Sequence, residues 1–234
     1  MAGGDGLPSV DDMTVAIITG ASRGLGRALA TGLTGAGWDV VVDARDAGAL
    51  AAAGLGERAV TVAGDVTDPG HRAALLAAAD ELGGADLLVN NAGILGPSPQ
   101  PALSDYPIHA LREVFEVNLH APLALTQLLL PGLRKRGGAV LNITSDAAVE
   151  PYPGWGGYGA AKAALEQASN VLAAEEPDVR VWWADPGDLR TRMHQEAYPG
   201  EDISDRPEPA TVVPAFLRLL TARPASGRIK VAAW

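Results

Sequence analysis

The chain contains no cysteine. That excludes disulfides, thiol nucleophiles and cysteine-ligated zinc, and it fits a reducing compartment. No apolar run approaches the ~20 residues of a membrane-spanning helix. The stretch Met1 to Pro8 has neither a basic nor an apolar run, so no signal peptide is expected. Positive charge is scarce: 18 Lys and Arg stand against 28 Asp and Glu, a formal net charge of −10. Such a surface disfavours a nucleic-acid backbone or an anionic membrane as the main partner. His71, His109, His120 and His194 show no ligand spacing, so no metal site is expected. A soluble, cytoplasmic protein is the expectation.

At 234 residues the chain suits one large domain. Residues 1–12 read as a flexible leader with little to bury, and 13–234 as a single domain. Short apolar runs at 15–18, 40–42, 59–63, 86–89, 139–143, 179–184 and 228–232 predict about seven strands. Helical spacing predicts helices from Leu25 to Gly35, over 69–82, over about 108–135 with Pro122 kinking or interrupting it, from Tyr158 to before Pro177, and over 210–220. Residues 96–107 read as a loop and 188–206 as a flap. Strands alternating with helices predict an α/β fold, a doubly wound parallel sheet with helices on both faces. Ligands bind such sheets at the carboxyl ends of the strands. The unusual polar and glycine residues gather there: Gly20–Gly26, Asp65, Asn90–Gly93, Ser145 and Pro186-Gly187.

Gly20, Gly24 and Gly26 stand where the first strand turns into the first helix. Glycine there lets the backbone approach a pyrophosphate, and the helix start offers free N–H groups. Eighteen residues beyond Gly26 lie Ala44 and then Arg45. A small residue followed by Arg suits a ribose 2′-phosphate, and Arg23 adds a second positive charge. This favours NADP(H). Asp43 and Asp46 flank the site, and Asp43 at the ribose would favour NAD(H) instead. Asp65-Val66 reads either as an adenine contact or as a plain Asx turn. Tyr158 and Lys162, four apart on a helix, point the same way. An ammonium nearby would pull the phenol pKa down and make the pair an acid–base device.

In order along the chain stand Thr19-Gly-Ala-Ser-Arg-Gly-Leu-Gly26, Gly64-Asp65-Val66, Asn90-Asn-Ala-Gly93, Asn118 in Val-Asn-Leu, Ser145 in Ile-Thr-Ser, Tyr158-x-x-x-Lys162, and Pro186-Gly187 with Thr191. On these motifs the chain resembles the short-chain dehydrogenase/reductase family over about residues 14–232. The resemblance implies a Rossmann-type fold, a cofactor half at about 13–93 and a catalytic half at about 94–234. It implies reversible hydride transfer between a nicotinamide and a small carbonyl or alcohol substrate. Tyr158 would be the general acid/base, Lys162 its partner, Ser145 the substrate-orienting hydroxyl and Asn118 the holder of a relay water. Cofactor contacts would fall on Gly20, Ser22, Arg23, Gly24, Leu25, Gly26, Arg45, Asp65, Val66, Asn90, Ala92 and Gly93. Pro186, Gly187 and Thr191 would wall the nicotinamide, beside Tyr158 and Lys162. A homodimer or homotetramer is implied as well. The tail after Gly227 departs from the family's glycine-rich, acidic end.

Asp146, Glu150 and Trp155 lie near the expected substrate mouth and would suit a polar or cationic group. His194 reads as a solvated flap residue or a substrate contact. Two other activities use the same elements: a same-fold dehydratase or epimerase, and a non-catalytic NADP(H)-binding regulatory protein.

Overall fold

The computed structural model describes residues 15–234. The leader expected over 1–12 lies outside them. Seven strands are present: β1 (Val15–Ile18), β2 (Asp39–Ala44), β3 (Ala59–Ala63), β4 (Leu87–Asn90), β5 (Ala139–Ile143), β6 (Arg180–Asp185) and β7 (Gly227–Lys230). They form one parallel sheet in the order β3-β2-β1-β4-β5-β6-β7. The helices are α1 (Gly24–Gly35), α2 (Ala47–Ala51), α3 (Pro69–Glu81), α4 (Ile108–Phe115), α5 (Ala121–Arg136), α6 (Gly156–Glu175), α7 (Arg192–Ala197) and α8 (Val213–Ala222).

The inner strands are largely apolar because both sheet faces are covered. Successive residues alternate between two cores. Ala16, Ile18, Val40, Val42 and Trp182 face the layer that holds α1 and α8. Ile17, Val41, Val140 and Val181 face the layer that holds α3 and α5. Strand order reverses between β1 and β4, and a doubly wound sheet opens a crevice at such a reversal. The glycine turn after β1 and the Asn90–Gly93 stretch after β4 stand on either side of it.

Two expectations are corrected and one element is added. The helical stretch 108–136 is interrupted, but before Pro122 rather than at it. α4 and α5 are separated by a π-helical turn, Glu116–His120, and Pro122 sits in the first turn of α5, where its missing N–H costs nothing. The last strand stops at Lys230 rather than running to residue 232; Val231–Ala233 form a 3₁₀ turn that buries Val231 in the core. α2 is an addition, a five-residue helix started by Asp46, whose carboxylate accepts from the Ala49 N–H at 3.0 Å.

Candidate active site

A cavity of about 1120 Å³ opens over the carboxyl ends of the strands. One end is bounded by Ser22, Arg23, Arg45 and Asp65, the other by Ser145, Tyr158 and Lys162.

The glycine turn forms the cavity floor. Gly20 and Gly24 adopt φ of +70° and +56°, a region that side chains with a Cβ rarely enter. A Cβ on Gly26 would lie 2.5 Å from the Gly20 carbonyl oxygen, so this glycine sits beneath the turn and lets it fold tightly. The turn is stapled to β4. Asn91 Nδ2 donates to the carbonyls of Thr19 and Gly20 at 2.8 and 3.2 Å. The N–H groups of Asn91 and Ala92 both donate to Thr19 Oγ1 at 3.0 Å. α1 starts at Arg23 without a side-chain cap, whereas α2 and α3 are capped by Asp46 and Asp68. Its first-turn N–H groups are left for an anion, and the cradle fits a dinucleotide pyrophosphate.

Arg23 and Arg45 are exposed at the cavity edge, and neither guanidinium is held in an ion pair among the described residues. Asp65 makes an Asx turn, its Oδ1 accepting the N–H and hydroxyl of Thr67 at 2.9 and 2.8 Å. Burial works against its charge, but the Thr67 bonds and nearby Arg45 hold its carboxyl below the usual value. Val66, Ala92 and Gly93 line the same wall, and Leu25 its floor.

Three residues given catalytic or cofactor roles on the sequence stand outside the lining. Gly26 acts from below, as described. Asn90, the last residue of β4, turns its amide into the sheet, where Nδ2 donates to Asn142 Oδ1 at 2.8 Å and Thr126 Oγ1 at 3.2 Å. Its neighbour Asn91 takes the place at the turn, and alternation along the strand decides which of the two does so. Asn118 is fully buried in the π-helical turn, with both ends of its amide joined to the Ile94 backbone at 2.9 and 2.8 Å.

At the other end, α6 carries Tyr158 and Lys162 to one wall. Lys162 Nζ stands 5.6 Å from the centre of the Tyr158 ring and donates to the Ile143 carbonyl at 2.8 Å. Both side chains are almost fully buried. The expected lowering of the phenol pKa is overturned in the chain by itself. Burial, with the charges of Asp146 and Asp185, pushes the Tyr158 hydroxyl well above its usual value. Burial also lowers the Lys162 ammonium to about 8. Ser145 Oγ accepts the Ala147 N–H at 3.2 Å and donates to Asp146 Oδ1 at 3.0 Å, while Tyr152 donates to Asp146 Oδ2 at 3.0 Å.

The flap crosses the cavity mouth. Thr191 caps α7 by accepting the His194 N–H at 3.1 Å, and its methyl faces Gly24. Pro186 and Gly187 follow β6, with the Gly187 N–H held by Asp185 Oδ1 at 3.0 Å. Trp155 packs edge-on to Tyr158 at 5.9 Å and beside Tyr198 at 6.1 Å. His194 is not solvated; its ring lies 5.0 Å from that of Tyr198, with the side chain nine-tenths buried. Glu150 is exposed outside the cavity lining. No cluster of three or more metal-ligating side chains occurs among the described residues.

Sequence reasoning missed Arg228. On β7 it lies beside β6, and its Nε donates to both oxygens of Glu166 at 3.0 and 3.2 Å. Its Nη2 reaches the Ser145 carbonyl at 3.2 Å and Asp185 Oδ2 at 3.4 Å. One guanidinium thus balances two acids and fixes the backbone at Ser145. Lysine cannot span this set with one ammonium. Arg228→Lys is expected to cost about 1–2 kcal/mol and lower the melting temperature by roughly 2–8 °C. A thermal melt unchanged from the parent would show that the network carries no weight.

The family model described as short chain dehydrogenase matches residues 14–202. The chain belongs to the short-chain dehydrogenase family. The curated sepiapterin reductase of Rattus norvegicus is 37% identical over 204 residues, covering 78% of this chain and 77% of that protein. Among solved structures, an alcohol dehydrogenase of Thermococcus sibiricus with 5-hydroxy-NADP is 28% identical at TM-score 0.80, covering 93% of this chain and 94% of that one. A 3-ketoacyl-(acyl-carrier-protein) reductase of Brucella melitensis with NADH is 26% identical at TM-score 0.84, covering 93% and 96%. This short-chain dehydrogenase is therefore an NAD(P)-dependent oxidoreductase acting on CH–OH or C=O groups. No described helix is long and apolar enough to cross a membrane.

Proposed function

We propose that this short-chain dehydrogenase is an NADP(H)-preferring reductase of a small carbonyl substrate, with Tyr158 as its proton donor. One observation carries the reading: a single cavity runs from two unpaired arginines, Arg23 and Arg45, to Ser145, Tyr158 and Lys162. Arg45 and Arg23 would hold the 2′-phosphate, the glycine turn and the α1 N-terminus the pyrophosphate, and Lys162 the nicotinamide ribose. Asp43 does not compete for the ribose, since its Oδ1 accepts the Gly20 N–H at 2.6 Å beneath the turn. The bound nicotinamide supplies or accepts the hydride.

Tyr158 gives its proton to the substrate oxygen as negative charge gathers there, and takes it back in the reverse direction. A buried phenol that stays protonated is ready to act as the donor when the reaction runs toward the alcohol. Ser145 turns its hydroxyl from Asp146 to the substrate oxygen, exchanging one hydrogen bond for another. Asn118, its amide anchored to Ile94, keeps the π-helical turn in place for a relay water at the backbone. Trp155, Asp146 and His194 border the substrate. The exposed Ile108, Leu128 and Val171 on α4, α5 and α6 support pairing of two copies along these helices. The lack of cysteine suits the cytoplasm.

Fluorescence titration tests the cofactor assignment, using the five tryptophans as reporters. NADPH is expected to bind about tenfold or more tightly than NADH, the worth of one charge-assisted contact. Arg45→Ala should remove most of that advantage and leave NADH binding alone. Equal affinities in the parent protein would reject the NADP(H) assignment.

A further inference from the structure

We propose that His71 is a positioning residue that sets cofactor preference, by keeping the Asp43 carboxylate beneath the glycine turn and away from the adenosine ribose. The inference rests on the NADP(H) reading and extends it to a side chain that stands outside the cavity lining.

Asp43 is the residue before Ala44 near the end of β2, and it borders the cavity. A carboxylate free at that point would accept from ribose hydroxyls and repel a 2′-phosphate. Neither oxygen is free. Oδ1 accepts the Gly20 N–H at 2.6 Å, and Oδ2 faces His71 Nε2 at 3.0 Å. An ionised carboxylate only accepts, so the ring N–H donates. Asp43 is 1% exposed and His71 7% exposed. The backbone carbonyl of Asp43 also holds the turn, accepting the Ala21 N–H at 2.8 Å.

Two further places in the chain make this arrangement possible. Gly64 leaves room for the imidazole, since a Cβ there would lie 2.2 Å from His71 Nδ1. Asp68 caps α3 and Pro69 opens it, which places His71 in the first turn, facing β2. The turn, β2, the residue after β3 and the start of α3 thus converge on one carboxylate. His71 contributes no atom to the cavity; its hydrogen bond goes to Asp43, and it is also near enough to Asp65 to act on that carboxyl.

The experiment compares NADPH and NADH dissociation constants for the whole protein. In His71→Leu, Asp43 loses one of its two donors inside the sheet and swings toward the cavity. NADPH affinity is expected to fall about tenfold or more, with NADH affinity unchanged or improved. The double variant Asp43→Ser with His71→Leu removes the repelling charge while a hydroxyl still accepts from Gly20. Its NADPH-to-NADH ratio should return to within about threefold of the parent's. A merely structural His71 would weaken both cofactors alike and leave the ratio unmoved in every variant; that result overturns the proposal. If His71→Leu does not fold, His71→Asn, too short to reach Asp43, is read by the same ratio. The parent's own ratio tests the NADP(H) reading, and the change on substitution tests His71, so the two can fail separately.

Discussion

Replacing Tyr158 with Phe should lower turnover by about 10²-fold or more and leave NADPH binding within about twofold of the parent. The phenyl ring still packs against Trp155, and only the hydroxyl is lost. A hydroxyl that acts solely in the transition state shows its loss in kcat and kcat/KM together. The environment sharpens the expectation. Burial and the charges of Asp146 and Asp185 keep the phenol protonated through the neutral range, so proton supply to a substrate oxygen has a ready source. Among the other hydroxyls lining the catalytic end, those of Ser145 and Tyr152 are engaged with Asp146 and that of Thr144 with Glu166. Stopped-flow oxidation of NADPH, paired with fluorescence titration, separates chemistry from binding. A variant that turns over at a near-parental rate would move the proton donor to another group.

Lys162→Met is expected to make the protein more stable and nearly inactive. Burial lowers the ammonium pKa from 10.5 to about 8. Below pH 8 both folded and unfolded chains carry this charge, and the folded chain bears the whole cost of holding it away from water, about 3 kcal/mol. Between pH 8 and 10.5 the folded chain has released the proton while the unfolded chain keeps it. Stability from this group therefore rises with pH across that window, and the cost is gone above it. The hydrogen bond to Ile143 offsets about 1 kcal/mol of the cost. Methionine at this position should thus gain about 2 kcal/mol at pH 7, or roughly 4–8 °C in Tm. The gain over the parent should shrink as pH rises from 8 to 10.5. Melting both proteins across that range provides the check. A variant less stable than the parent at pH 7 would show that the ammonium is not a burden on the fold. Activity should fall by two orders of magnitude or so, since the ribose and the tyrosine lose their cationic neighbour. Such a trade of stability for function is common in active sites.

The strands were legible because a strand covered on both faces is apolar at every position, as in Val15–Ile18 and Leu87–Asn90 up to its last residue. Tyr158 and Lys162 were legible as a pair because helical spacing alone puts them on one face. The pKa of that pair was not legible. It depends on how deeply the wall of the cavity buries them, and on Asp146 and Asp185, which come from other segments. The Asn90–Asn91 doublet shows the same limit at smaller scale. Both amides look alike in a motif, and the end of β4 decides which faces the turn. The π-helical turn was hidden because helical spacing continues on either side of it and Pro122 offered a more visible cause for a break. The place of Asp43 beneath the turn and the role of Arg228 were hidden for a different reason. Each residue acts on partners brought alongside by the strand order, Gly20 and His71 in one case, Glu166 and Asp185 in the other. No local pattern marks such a residue.

The contacts of Arg228 bear on how the protein comes into being. During synthesis the N-terminal side of the chain leaves the ribosome first, and domains tend to fold as units as they emerge. A nascent chain that ends before β7 has Glu166 on α6 and Asp185 at the end of β6 without their counter-charge, and β6 as an open edge able to pair with another chain. The nascent enzyme should therefore stay dormant and prone to aggregation until residue 228 is free to dock, with holding chaperones most needed in that interval.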